Sequence, residues 1–187
     1  QRQMCIRDRN DVVRAGKTRY IGASSMYAWQ FSKAQQVAKE NGWARFISMQ
    51  NQVNLIYREE EREMIPLCLD QGVGLIPWSP IARGKLARPV GISTARAETD
   101  NVLENMYSKT IDADNAVISN VEKIANEIGR LMVQVALAWI RQKKGVAAPI
   151  IGYTRLEQFE QMLGGLDLVL DQEMIDRLEA PYVPHVP

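Results

Sequence analysis

Four short stretches hold the side chains best able to do chemistry. Ser24-Ser25 and Gln50-Asn51 offer small hydrogen-bonding groups, and Trp78-Ser79 sets a broad aromatic face beside a hydroxyl. Gly152-Tyr153-Thr154-Arg155 is a glycine-opened turn with an arginine fork. This set suits a flat ligand that carries an amide and a phosphate better than it suits a metal or a simple acid. The sharpest signal is Thr154 to Glu157: Gly152 lets the backbone come close, the helix that follows offers N–H groups to an anion, and Arg155 matches phosphate geometry. Thr154-Arg155-Leu156-Glu157 reads as well as a capping box, and both readings can hold together. Trp78 either stacks on an aromatic ring or fills a core. Ser24, Ser25 and Gln50 either serve a ligand or settle turns and caps. Arg83, Lys85 and Arg88 around Gly84 form a basic cluster, commonly a solvated surface, whose place beside Trp78 favours a functional role.

Other chemistries lack their residues. The single histidine, His185, lies in the tail, so no Ser/His/Asp set is expected. Cys5 and Cys68 make neither a disulfide framework nor a zinc site. A glycine-rich nucleotide motif of the Rossmann or Walker type is absent. The run Glu59 to Glu63, at a helix start, reads as a solvated face, and the sequence shows no general acid. Basic and acidic residues nearly cancel, 23 against 22 for a net charge of +1, which predicts no nucleic-acid or membrane partner. The longest nearly apolar stretch, Leu131 to Ile140, is interrupted by Gln134 and falls short of the roughly 20 apolar residues a membrane span needs. Arg2, Arg7, Asp8 and Arg9 leave no room for a signal peptide, and a reduced, cytoplasmic protein is expected.

The elements that must position these residues alternate strand and helix. Tyr20 to Ala23 is predicted as a strand, then a helix from Tyr27 to Glu40 closed by Asn41-Gly42. Phe46 to Gln50 is the second strand and Arg58 to Asp70 a charged helix ended by Gln71-Gly72. Val73 to Pro77 is the third strand. A long connection from Ser79 to Asp112 follows, of the length that functional loops have. Helices are predicted over Asp114 to Ile128 and Leu131 to Lys143, a fourth strand over Val146 to Ile151, and helices over Arg155 to Leu163 and Asp171 to Glu179, before an irregular tail, Pro181 to Pro187. Buried strands separated by helices predict parallel βαβ units, either in an open doubly wound sheet or in part of a (β/α)8 barrel. A whole barrel typically needs about 250 residues, more than the 187 present.

In this order the strand-end residues resemble the aldo-keto reductases, over about Asp11 to His185, and especially the bacterial branch related to potassium-channel β subunits. The likeness is carried by Gly16-Lys17-Thr18-Arg19-Tyr20-Ile21-Gly22-Ala23-Ser24-Ser25, by Gln50-Asn51-Gln52-Val53-Asn54-Leu55 and by Pro77-Trp78-Ser79-Pro80-Ile81-Ala82-Arg83-Gly84. It continues through Val135 to Ile140, Pro149-Ile150-Ile151-Gly152 and Leu178 to His185. The resemblance implies the C-terminal half of a (β/α)8 barrel whose parent reduces small carbonyl substrates with NADPH and without a metal. By it, Ser24, Ser25 and Gln50 hold the nicotinamide carboxamide and Trp78 stacks on the ring. Ser79, Pro80, Ile81, Ala82 and Arg83 line the pyrophosphate, with Arg88 a charge partner. Gly152, Thr154 and Arg155 take the 2′-phosphate and Gln158 the adenine side. Gln161 and Met162 stand where the family often has Glu-Asn. The catalytic Asp, Tyr, Lys and His belong to the first half of the barrel, so no residue here is assigned a catalytic role. Gln1 to Arg9 match nothing in the family and read as foreign or disordered. A half-barrel is expected to self-associate through its open edges, and the Ser79 to Asp112 segment to close over the cofactor. The alternatives are an NADPH-binding sensor of the channel-subunit type with little turnover, or a phosphate-binding α/β module.

Overall fold

The computed structural model describes residues 2–92 and 110–185. It divides into two compact units. The first comprises Gln1–Gln52, Glu60–Trp78 and Lys144–Ala148, the second Val53–Glu59, Ser79–Lys143 and Pro149–Pro187.

The first unit is built on a parallel sheet of order β1-β2-β3, with β1 Ile21–Ser24, β2 Phe46–Gln50 and β3 Gly74–Leu75. Ser24 pairs with Gln50 and Met49 with Leu75, so the polar ends of β1 and β2 finish level with each other. A Cβ at Gly22 would meet the Ser48 hydroxyl on the neighbouring strand, which would have to turn away to admit it. Helix α3 (Met64–Gln71) packs on β3, α2 (Ala28–Glu40) packs on α3, and α1 (Arg2–Arg14) packs on α2. Phe31, Ala38, Phe46, Met49, Met64, Cys68 and Leu75 are buried in this unit. Gln35, buried on α2, clamps the start of β2: its amide donates to the Phe46 carbonyl (2.9 Å) and accepts from the Phe46 N–H (3.0 Å). α3 ends at Gly72, whose φ of 66° is the left-handed cap that glycine adopts without strain. Helix α1 takes in residues 2–9, offered by the sequence as foreign or disordered, and buries Ile6 and Asn10.

Two expectations need correction here. The strand predicted over Val146 to Ile151 is reduced to isolated bridge residues, Val146 and Ile150; Val146 pairs in parallel with Leu75, which donates to the Gly145 carbonyl and accepts from the Ala147 N–H. The helix predicted from Arg58 to Asp70 is a short 3₁₀ turn, Glu59–Glu61, followed by α3, which begins only at Met64.

The second unit is helical: α4 (Ile111–Glu127), α5 (Met132–Gln142), α6 (Leu156–Leu163) and α7 (Gln172–Glu179). α5 is the apolar stretch seen in the sequence, and its residues Met132 to Ile140 are all buried, Gln134 included. Gln134 is satisfied there, donating to the Gln161 carbonyl and accepting from the Leu131 N–H. Asp171 caps α7 by accepting from the Met174 N–H at 2.8 Å. Of the long connection, Ser79 to Ile92 is described and includes a 3₁₀ segment, Ala82–Ala87, against which α4 and α5 pack. Residues 93–109, and with them much of the segment expected to close over a cofactor, lie outside the described residues.

Candidate functional site

In the first unit the sheet collects Ser24, Ser25, Gln50 and Trp78. The Ser24 hydroxyl donates to the Gln50 carbonyl (3.0 Å), and the Ser25 N–H donates to the same oxygen (3.1 Å). Gln50 therefore holds the two serines through its backbone. Beyond β3 the pairing continues: the Trp78 N–H donates to the Asn51 carbonyl (2.9 Å), and Gln52 and Trp78 form a parallel bridge. The indole N–H of Trp78 donates to the Ser25 hydroxyl (3.3 Å), which fixes the ring by its edge. Gln52, a buried polar residue opposite Trp78, is not among the residues the sequence singles out. Its signal is the spacing of two residues from Gln50, the last residue of β2. Asn51 is fully buried, and neither polar atom of its side chain has a hydrogen-bond partner. A buried amide left so is costly, and in native proteins it calls for an explanation.

In the second unit, Ser79 to Arg83 form a tight, strained loop. Ser79, Ala82 and Arg83 have φ of 54°, 48° and 54°, in the left-handed region that non-glycine residues avoid. The Ser79 carbonyl accepts from Ala82 (2.9 Å) and its hydroxyl from the Arg83 N–H (3.2 Å), which holds that conformation. Pro80 and Ala82 are buried, Ile81 is half-buried, and Arg83 is exposed. Gly84 follows at φ 98°, and the Arg88 guanidinium lies across it, 2.7 Å from where a Cβ would be. Strain of this kind in a short loop is a pointer to function.

The same unit carries the α6 start. Arg155 is the cap residue, with extended backbone (φ −135°, ψ 145°), so the third helical position is Gln158. The Gln158 side-chain oxygen accepts from the Thr154 N–H (3.0 Å), the Thr154 hydroxyl (3.2 Å) and the Arg155 N–H (3.3 Å). The capping box read from Thr154 to Glu157 is thus displaced by one residue. Gly152, Thr154 and Arg155 are exposed, and Tyr153 stacks on Phe159 with 4.8 Å between ring centroids. Gln161 is exposed and Met162 turns into the core.

A cluster the sequence did not foresee joins the tail to residues 57–59. The Tyr182 hydroxyl donates to Glu59 (2.6 Å) and accepts from the Arg58 N–H (2.9 Å), while the His185 N–H donates to the same Glu59 oxygen (2.7 Å). Glu59 is therefore a partner of the tail and not part of a solvated face. Burial, aided by Glu59, pushes the Tyr182 phenol well above its ordinary value. Glu179 accepts from Arg58 (2.6 Å), Lys143 (2.7 Å) and the Trp139 indole (2.8 Å). Burial raises its pKa, but Lys143, Trp139 and Arg58 outweigh that and hold the carboxyl below the usual carboxylate range. The Trp139 ring also lies within 4.6 Å of the Lys143 ammonium and 5.8 Å of the Arg58 guanidinium. His185 is buried, its Nε2 3.4 Å from Asp114 and 3.4 Å from the Thr110 hydroxyl. Both groups face the same ring nitrogen, so the imidazole does not relay a proton between hydroxyl and carboxylate in the manner of a triad.

Among the described residues no group of acids, cysteines and histidine is gathered as a metal site, and no helix is long and apolar enough to cross a membrane. Comparison with known proteins bears on what this arrangement serves. The chain is 49% identical over 185 residues to versiconal hemiacetal acetate reductase of Aspergillus parasiticus, covering 98% of this chain and 54% of that protein. It is 45% identical over 184 residues to a putative aryl-alcohol dehydrogenase of Schizosaccharomyces pombe, covering 96% and 50%. With an aldo-keto reductase of Fusarium vanettenii it shares 44% over 180 residues, covering 94% and 47%. These relatives are fungal, where the sequence led us to expect a bacterial branch, and the chain spans about half the length of the curated relatives it matches. The model of the aldo/keto reductase family matches residues 6–182, and the chain belongs to that family.

Proposed function

We propose that the chain is the C-terminal half of a (β/α)8 barrel whose parent protein reduces aldehydes or ketones to alcohols with NADPH. The observation that carries this reading is the strained loop Ser79–Arg83, three non-glycine residues at positive φ directly after Trp78, in a chain of this family. The residues fit the cofactor. Trp78 is pinned at its edge by Ser25, which suits an indole that offers its face to a flat ring. The hydroxyls of Ser24 and Ser25 and the orphaned amide of Asn51 mark a polar strand end. Arg83, Arg88 and Arg155 supply cationic forks for phosphates.

When bound, NADPH supplies the hydride. The residues of this chain bind and orient it: Ser24, Ser25 and Gln50 at the carboxamide, Trp78 at the ring, and Ser79 to Arg83 with Arg88 at the pyrophosphate. Gly152, Thr154 and Arg155 take the 2′-phosphate, with Gln158 and Gln161 towards the adenine. A phosphate at Thr154 and Arg155 competes with Gln158 for the same three donors, so binding exchanges an internal acceptor for the ligand. The catalytic proton donor comes from outside this sequence.

The test is turnover by the parent protein, about twice this length to judge from its relatives, followed as loss of NADPH absorbance with aromatic and aliphatic aldehydes. Consumption supports the reading; NADPH binding with no turnover of any aldehyde selects the sensor alternative, and no binding at all overturns the reading. β1 pairs on one side only among the described strands, and that edge supports self-association of the chain alone. A sharp monomer peak on size exclusion would contradict it.

A further inference from the structure

The strained loop begins at Ser79, and that residue is held from two sides. The Ser79 carbonyl accepts from the Ala82 N–H inside the loop (2.9 Å) and from the Asn54 side-chain amide outside it (3.0 Å). Asn54 is fully buried and, like the loop, belongs to the second unit. Its Oδ1 accepts from the Ile56 N–H at 3.1 Å, which fixes the amide so that its donor, Nδ2, faces Ser79. The backbone of Asn54 is paired with that of Tyr57, N–H to carbonyl in both directions, at 3.1 and 3.0 Å. Asn54 to Tyr57 is thus a closed turn, tied by the side chain of its own first residue. Val53, Leu55 and Ile56 are buried, and the Arg58 N–H that follows the turn donates to the Tyr182 hydroxyl (2.9 Å). The turn is therefore anchored independently of the loop it reaches.

We infer that Asn54 is a positioning residue for the Ser79–Arg83 loop: the turn it closes is a fixed strut, and its amide pins the Ser79 carbonyl and with it the peptide plane between Ser79 and Pro80. The reason lies in the backbone. Ser79, at φ 54°, precedes a proline, whose ring restricts the residue before it and fixes its own φ. With that plane pinned and Pro80 locked, little torsional freedom is left before Ala82, where the second positive φ stands. Strained backbone persists only where its surroundings over-determine it. The bonds from Ala82 and Arg83 to Ser79 lie within the loop, and Asn54 supplies a hold from outside it. The service of the loop to NADPH rests on the function proposed above, but the hold of Asn54 on Ser79 does not.

The experiment is amide hydrogen exchange on the full chain with Asn54→Ser and with Asn54→Asp. Each is also titrated with NADPH and with adenosine 2′,5′-bisphosphate, which carries a 2′-phosphate but no pyrophosphate. Asn54→Ser keeps a hydroxyl to accept from the Ile56 N–H but ends short of Ser79. Asn54→Asp keeps the size and the acceptor, and lacks the donor while it is ionised. Exchange over residues 82–86 should rise about tenfold in Asn54→Ser, as loss of one buried hydrogen bond produces, and stay unchanged over α5. In Asn54→Asp that protection should be lost at alkaline pH and return in acid, where the protonated carboxyl donates to Ser79 again. NADPH should bind Asn54→Ser several-fold more weakly, and the bisphosphate equally well. Protection kept over residues 82–86 in Asn54→Ser overturns the inference, as does an equal rise over α5. Should Asn54→Ser fail to fold, Asn54→Asp decides: opening confined to the loop and reversed by acid upholds the inference, and opening throughout or without pH dependence overturns it. An opened loop with NADPH affinity unchanged overturns the positioning role. If exchange responds as expected while the unaltered chain binds neither ligand, the hold on Ser79 stands and the cofactor reading falls.

Discussion

Replacing Glu179 by glutamine isolates the charge at the centre of the Arg58–Trp139–Lys143 cluster. The carboxylate accepts from two cations at 2.6 and 2.7 Å and from an indole at 2.8 Å. Its side chain is 22% exposed, as is that of Lys143, with Arg58 at 14%. Exposed pairs contribute about 0–1 kcal/mol, and breaking a fully buried pair costs about 3–5 kcal/mol. This pair lies between, so Glu179→Gln, which keeps an acceptor for Trp139 but leaves two cations facing a neutral amide, should cost about 2–3 kcal/mol. For a chain of this size that is a fall in Tm of about 4–12 °C, read by differential scanning fluorimetry or urea denaturation. The effect depends on pH with a definite sign. The folded pKa of Glu179 lies below its ordinary value of 4.5, so the carboxylate stabilises fully above that value. Its contribution is lost as pH falls through the lower folded value, and the two proteins should converge in acid. A difference below about 0.5 kcal/mol at neutral pH, or one that persists unchanged in acid, would refute the reasoning.

Two further predictions rest on single side chains. Cys5 is exposed, whereas Cys68 is buried, and burial, with Glu60 nearby, pushes its thiol up to about 11. Titration of the native chain with a thiol reagent at pH 8 should modify Cys5 alone, with Cys68 reacting only on unfolding; two equally fast thiols would contradict the burial. Because the Cys68 value is raised, its contribution to stability is complete below its ordinary value of 9.0 and is lost as pH rises through about 11. Gly84→Ala places a Cβ at φ 98° and against the Arg88 guanidinium, and should cost about 1–2 kcal/mol in denaturant unfolding. A neutral or stabilising outcome would mean that the loop is not held in the conformation described.

What the sequence made legible was local. β2 was predicted over Phe46 to Gln50 and occupies those residues, and α2 begins one residue after its predicted start, because apolar spacing and the glycine after each helix fix such elements without outside help. The fourth strand is reduced to isolated bridge residues, and the capping box slipped one residue because backbone dihedrals, which no short motif encodes, make Arg155 the cap. The tail was unreadable for another reason: Glu59 meets Tyr182 and His185 across more than 120 residues of chain, and only packing brings them together. The candidate site was legible as residue types at strand ends, Ser25 and Trp78 among them. The strain at Ser79, Ala82 and Arg83 was not, since it belongs to the backbone.

The measurement that bears most directly on the account is calorimetric titration of this chain with NADPH, repeated with NADH and with Arg155→Ala. The account predicts saturable binding of NADPH, weaker binding of NADH, which lacks the 2′-phosphate, and a loss of that preference in Arg155→Ala. No heat with either cofactor, or equal affinity for both in the unaltered chain, would contradict the assignment of Trp78, the Ser79–Arg83 loop and Arg155 to one cofactor.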